Sequence, residues 1–395
     1  MTGPSWPGRP FVVHVPEDVL NDLADRLRRA RLPSEQAGPD WATGTPLGYA
    51  QRLRDHWLNG FDWRAWEERI NQFDQRIIDI DGHDIHVVLE HGSGHNPLPL
   101  MLTSGWPGSF LEFVDLIDRL AHPERWGGDV EDGFTVILPS LPGYGFSPPP
   151  PTPLRPEDVA RLWSRLSERL GCERYGAYGS DWGSLVTATL ALNHPERLAA
   201  ILITSPGLMP ALGGDATPLT PAEQMWMEAA QRRMQPESGY QIVQGTKPQS
   251  LAYGHTDSPL ALACWIAEKF HGWTTPGSQN DPMIPMGALL ANVMLYWING
   301  SLAPMWLYMF LGEFGPQAPG TRVSVPAGFL LAEKDLSVPP PRSWLARTFD
   351  VARFTVSPAI GHFPGHEDPE LLIRELRDFF RPYRGKAASP ASIAV

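Results

Sequence analysis

An α/β fold, with a mostly parallel sheet covered by helices on both faces, is what this sequence predicts, and three observations predict it. From Pro97 onward, short apolar runs alternate with helical patterns, the rhythm of a parallel sheet. Gly179-Ser180-Asp181-Trp182-Gly183 sets a glycine-bracketed turn between a predicted strand and a predicted helix. Asp181, Asp335 and His362 then follow one another along the chain, each beside a predicted strand end. Nucleophile, acid and histidine in that order define the triad of the αβ-hydrolase fold.

Residues 1–95 read as an N-terminal extension. Val19, Leu20, Leu23 and Leu27 form a helical stripe closed by Pro33, and a tryptophan-rich helical region spans 47–71. Residues 76–80 and 85–89 flank Asp81-Gly82-His83-Asp84, a hairpin signal. The first part of the core is expected over 96–206. It has a strand at 99–103, a helix at 110–120, a strand at 134–139 and a stiff proline loop at 148–151. Val159, Leu162, Trp163, Leu166 and Leu170 give an amphipathic helix ended by Gly171. A strand at 174–178, a buried helix at 185–192 and a strand at 199–204 complete this part.

The pattern then breaks. Residues 207–318 are rich in Trp, Met, Tyr and Pro, with helical runs at 222–234, 260–270 and 286–296. This reads as a helical lid inserted between strands. Strand rhythm resumes at 327–332 and 353–357 within a second core part at 319–384, closed by a helix at 368–380. Residues 385–395 read as a flexible tail.

The chain has 395 residues, 42% hydrophobic and 19% charged, as a soluble globular protein does. Its net charge of −12 argues against nucleic acid or anionic membrane as a partner. The two cysteines, Cys172 and Cys264, are too few for a disulfide framework or a multi-cysteine zinc site, and both read as small buried hydrophobes. The N-terminal residues show no basic segment followed by a long apolar run, so a cytosolic enzyme without a membrane anchor is expected. A homodimer is allowed by the sequence, which does not fix the oligomeric state.

With Asp181 where a serine hydrolase carries its hydroxyl, attack yields an ester of the enzyme's own side chain. That chemistry suits epoxides and alkyl halides better than esters or amides. Ser180 would be the nucleophile only in a shifted glycine register, and none fits. Water must then release the ester, and His362 in Gly361-His362-Phe363 is the expected base. His366 reads as solvated and His194 as structural. Asp335 is preferred to the neighbouring Glu333 as the carboxylate that orients His362. Negative charge on the ester carbonyl needs backbone donors. The Trp182 amide and, in Gly105-Trp106-Pro107, the Trp106 amide are the candidates. The departing alkoxide needs a proton, and the lid tyrosines Tyr240, Tyr253, Tyr296 and Tyr308 could supply one. No cofactor or metal is called for; the expected partners are a small epoxide and water.

These motifs resemble the microsomal-type epoxide hydrolases over nearly the whole chain. The match runs through Phe61-Asp62-Trp63-Arg64, Ile80-Asp81-Gly82 with Ile85-His86, and Gly105-Trp106-Pro107-Gly108-Ser109-Phe110 with Glu112-Phe113. It continues through Gly179 to Ser184, Glu237-Ser238-Gly239-Tyr240, the segment from Asn292 to Trp297, and Gly361-His362-Phe363 with Glu367, Pro369, Glu370 and Leu371. The resemblance implies Asp181 as nucleophile, His362 as base and Tyr240 as one proton-donating tyrosine. Two positions depart from it. Ser104 stands where the family usually has His, and a gapless match puts the second tyrosine at Met309, with Tyr308 one residue earlier. Tyr308 serves only if the local helix changes register. Three alternatives stay open on sequence alone: a haloalkane dehalogenase, a cyclase using an internal hydroxyl, and a catalytically silent binding homologue. The lid's tryptophans and methionines suggest a bulky apolar substrate.

Overall fold

The computed structural model describes residues 6–34, 40–214, 216–275, 277, 281–313 and 315–384. The expected tail at 385–395 lies outside them. A two-residue strand, β1 (Arg9–Pro10), opens the described chain. In α1 (Glu17–Arg28) the predicted stripe buries Leu23 and Leu27. The region 47–71 forms two helices, not one: α2 (Leu47–Asn59) and α3 (Trp63–Ile70). Gly60 ends the first. Asp62 begins the second by accepting the Arg64 N–H at 2.9 Å and the Ala65 N–H at 3.3 Å. Those donors would otherwise be orphaned in the first helical turn.

The hairpin is β2 (Asp74–Ile80) and β3 (His83–Glu90). Its two turn residues, Asp81 and Gly82, have φ of 52° and 83°, the conformation that matches strand twist. After β4 (Leu98–Thr103) the expected helix at 110–120 is replaced. Two 3-10 turns, Phe110–Glu112 and Val114–Leu116, precede a short α4 (Ile117–Ala121). Residues 110–114 are all buried, and a one-faced amphipathic α-helix cannot bury five in succession.

The core continues with β5 (Phe134–Pro139), α5 (Pro156–Arg169), β6 (Tyr175–Gly179), α6 (Trp182–Asn193) and β7 (Leu198–Ile203). Every residue of α6 from Trp182 to Ala191 is buried, so this helix is fixed on all sides. Trp163 of α5 donates to Thr103 Oγ1 at 3.1 Å. Cys172 is buried as expected; Cys264 is only partly so.

Beyond β7 the chain leaves the sheet for α7 (Pro221–Met234), α8 (Gly239–Thr246), α9 (Pro248–Asp257), α10 (Pro259–Gly272), α11 (Met286–Asn299) and α12 (Leu302–Met305). A 3-10 stretch, Trp306–Glu313, ends this insertion. The sheet resumes with β8 (Val323–Ala332), α13 (Arg342–Leu345) and β9 (Phe349–Ser357), followed by α14 (Pro364–Glu367) and α15 (Pro369–Phe380). The strand order is β1-β2-β3-β5-β4-β6-β7-β8-β9. The pairings from β1 to β3, and of β3 with β5, are antiparallel; the remainder are parallel. Among the described residues no single helix is long and apolar enough to cross a membrane.

Candidate active site

Asp181 occupies the turn between β6 and α6 with φ 52° and ψ −125°. A non-glycine residue there costs on the order of 1–3 kcal/mol, so its surroundings must hold it. They do so by excluding side chains. A Cβ on Gly179 would lie 2.1 Å from the Gly183 carbonyl oxygen, and one on Gly183 would lie 2.0 Å from the Thr103 carbonyl oxygen. The Ser180 N–H donates to the Thr103 carbonyl at 3.0 Å and Ser184 Oγ donates to the Gly179 carbonyl at 2.8 Å. Ser180 itself is buried and faces Glu112, not the Asp181 side chain's neighbours.

Asp181 meets two different environments at its two oxygens. Oδ1 accepts the Trp106 N–H at 2.8 Å. Oδ2 lies 3.3 Å from His362 Nε2. The other ring nitrogen, His362 Nδ1, is 2.7 Å from Asp335 Oδ1. Glu333, the alternative to Asp335, is exposed. His362 is therefore enclosed between two carboxylates. Burial alone would push its imidazole down, but the charges and hydrogen bonds of Asp335 and Asp181 prevail and hold it well above its ordinary value.

The loop carrying Trp106 is shaped from α11. Asn292 Nδ2 donates to the Pro107 carbonyl at 2.6 Å and Tyr296 Oη donates to the Gly108 carbonyl at 2.6 Å. The Trp106–Pro107 peptide is cis. With Ser104 in place of a histidine, the Trp106 amide still reaches Asp181. Close approach again demands glycine, since a Cβ on Gly105 would sit 2.1 Å from Asp181 Oδ1 and 2.5 Å from the Trp182 nitrogen.

Two tyrosines pack on the tryptophans beside Asp181. Tyr240 stacks on Trp106, with centroids 5.1 Å apart and planes 13° apart. Tyr308 meets Trp182 edge-on at 4.9 Å and Tyr240 at 5.5 Å. Tyr308 is buried while Met309 is 46% exposed. The helical register does not run unbroken from Asn292 to this point: α11 ends at Gly300, its C-cap, with φ 90°, and the chain bends by 102° before the segment that carries Tyr308. Burial, then the charge of Asp181, raises the Tyr240 phenol. Burial raises Tyr308 likewise, with the charge of Asp181 adding to it. Both therefore keep their protons at neutral pH. Tyr253 is 70% exposed, and Tyr296 is committed to the Gly108 carbonyl.

Several contributors are not singled out by sequence reasoning. Glu367 accepts the Gly361 and Phe363 N–H groups at 2.8 and 3.0 Å, one on each side of His362. The His362 N–H donates to the Trp273 carbonyl at 2.9 Å, and the Trp273 ring lies 4.8 Å from the imidazole. Glu112 accepts the Gly365 N–H at 3.2 Å. Burial pushes Glu112 up to about 8 and Glu367 up to about 7. Both glutamates are visible as motif residues, but their partners are not. His366, expected to be solvated, is partly buried beside Phe270, and burial pushes it down to about 4. His194 caps the end of α6.

Comparison with known proteins bears on the fold and the family. The family described as epoxide hydrolase N terminus matches residues 8–113, and the alpha/beta hydrolase fold family matches residues 99–369. A protein of Stigmatella aurantiaca is 37% identical over 95% of this chain and 86% of its own length. Epoxide hydrolase 1 of Oryctolagus cuniculus is 29% identical over 94% of this chain and 88% of its own. The Aspergillus niger epoxide hydrolase structure superposes with a TM-score of 0.80 at 29% identity, covering 95% of this chain and 97% of that one. Juvenile hormone epoxide hydrolase from Bombyx mori gives 0.80 at 26% identity, covering 95% and 93%. With both of its segments matched and its relatives aligned over most of their length, this chain belongs to the epoxide hydrolases of the αβ-hydrolase fold.

Proposed function

We propose that the enzyme opens a bulky apolar epoxide to a vicinal diol through an ester on Asp181. The observation that carries this reading is the division of labour at that carboxylate, Oδ1 on the Trp106 amide at 2.8 Å and Oδ2 facing His362 at 3.3 Å. Oδ2 attacks an epoxide carbon while Tyr240 and Tyr308 meet the departing oxygen. The carbon–oxygen bond breaks, its electron pair stays on oxygen, and a tyrosine proton follows. The ester that forms keeps Oδ1 as its carbonyl oxygen, already beside the Trp106 amide and the start of α6.

Esterification also changes His362. It removes the Asp181 charge, one of the two anions that hold the imidazole's proton. The ring, its extra proton passed to the phenolate left by ring opening, then takes the proton of the attacking water, while Asp335 keeps its orientation. Attack of that water on the ester carbonyl carbon builds charge on Oδ1, which the Trp106 N–H, already donating to that oxygen, and the Trp182 N–H stabilise by donating to it. Collapse releases the diol. Helices α7 to α12 act as the lid, and the rings of Trp106, Trp182, Trp273, Tyr240 and Tyr308 favour an apolar substrate.

A single turnover in oxygen-18 water, with enzyme in excess, tests the covalent step. The first diol should be unlabelled, because its new oxygen comes from Asp181. Diol carrying the label in that turnover refutes the ester.

A further inference from the structure

We propose that Lys269 is a positioning residue whose charge, acting through Tyr240, makes that phenol a stronger acid toward the opening epoxide. The inference rests on the ester reading above and adds a residue to it. Lys269 lies on α10 and is only 6% exposed. Its Nζ sits over the Tyr240 ring, 4.9 Å from the centroid, with the Trp273 and Trp265 rings at 5.8 and 5.9 Å. Glu268, partly exposed, is its ion-pair partner. An ammonium is rarely buried in such surroundings, and an apolar side chain would fill the same space at lower desolvation cost.

The ring offers a reason for the charge. A neutral phenol presents Lys269 with only the quadrupole of its π-system. As its proton passes to the alkoxide, the phenol gains a full negative charge, and the interaction becomes that of two ions. Lys269 thus stabilises the transition state more than the resting state, the condition for acceleration. The step balances. Asp181 Oδ2 bonds to carbon, the carbon–oxygen electron pair stays on the epoxide oxygen, and that oxygen takes the Tyr240 proton. The phenolate left behind regains a proton by way of His362, which is itself reprotonated from the water consumed in ester hydrolysis.

The test is single-turnover stopped flow, following the fluorescence of the tryptophans around Asp181, with an alkyl oxirane and its trifluoromethyl analogue. The analogue's alkoxide is a weaker base and needs the acid less. In Lys269→Met, ester formation should slow about tenfold for the alkyl oxirane and less than twofold for the analogue, with ester hydrolysis unchanged. Lys269→Arg should stay within about threefold of the parent. In a Tyr240→Phe background, Lys269→Met should add nothing, whereas in Tyr308→Phe its effect should persist. Equal slowing of both epoxides, slowed hydrolysis, or an undiminished effect without the Tyr240 hydroxyl would overturn the proposal. If Lys269→Met does not fold, Glu268→Gln decides, because an unneutralised cation should speed ester formation on the alkyl oxirane, and slower formation counts against it. Absence of an alkyl-enzyme mass in parent and variants alike would instead refute the ester itself.

Discussion

Asn292 of α11 donates to the Pro107 carbonyl at 2.6 Å, so the helical insertion directly shapes the loop whose Trp106 amide, one residue earlier, holds Asp181. Because both groups are buried, deleting the donor leaves the carbonyl without its partner. Asn292→Ala should lower kcat roughly tenfold with KM within about twofold, and lower the melting temperature by several degrees, matching a loss of about 1–2 kcal/mol. Steady-state kinetics and a melting curve check both.

Asp181→Asn should retain the fold, since the turn is enforced by Gly179 and Gly183 and not by the carboxylate. Turnover should fall by about a thousandfold or more, the scale on which removal of a covalent nucleophile acts. Diol formation over hours reads this, with circular dichroism as the check on structure.

Asp335→Asn should separate the two half-reactions. The imidazole loses the anion 2.7 Å from Nδ1, so hydrolysis slows far more than ester formation. The alkyl-enzyme should accumulate and appear as an intact-mass adduct on the peptide containing Asp181. A variant that slows without accumulating adduct would contradict this assignment.

Glu112 provides a pH signature. Burial raises its carboxyl to about 8, against about 4.3 in an unfolded chain. Between these values the folded state binds the proton that the unfolded state has lost. Stability contributed here therefore declines as pH rises, by roughly 1.4 kcal/mol per unit. Glu112→Gln should flatten the fall of unfolding free energy between pH 5 and 8 relative to the parent. Denaturant titrations at several pH values, compared as differences, would show it.

Tyr308→Phe should slow ester formation about 10- to 100-fold. Adding Met309→Tyr should not restore it, because position 309 faces outward. Rescue by the double substitution would mean that the 3-10 register gives way easily.

What is legible in the sequence is what is local. The turn at 179–183 declares itself because its glycines, strand and helix lie within one short window, and the hairpin at 81–82 does so for the same reason. His362 and Asp335 can be singled out because each follows a strand, and the structure brings them to 2.7 Å. The partnerships of Asn292 with Pro107 and of Gly365 with Glu112 are different, spanning 185 and 253 residues. No periodicity reports a contact between distant segments. The choice of Tyr308 over Met309 depends on the break at Gly300 and the bend that follows it, which a gapless match carries straight through. The break at Gly60 was open to reading from Gly60 and Asp62 themselves, as an end signal followed by a cap.

The tight clearance around Gly179, Gly183 and Gly105 has an evolutionary corollary. Backbone, not side chain, dictates where the reactive atom is presented, so swapping the residue at 181 for a hydroxyl or thiol would redirect the scaffold toward acyl transfer without remodelling its frame. A lineage can thus exchange one class of electrophile for another while its architecture stays put.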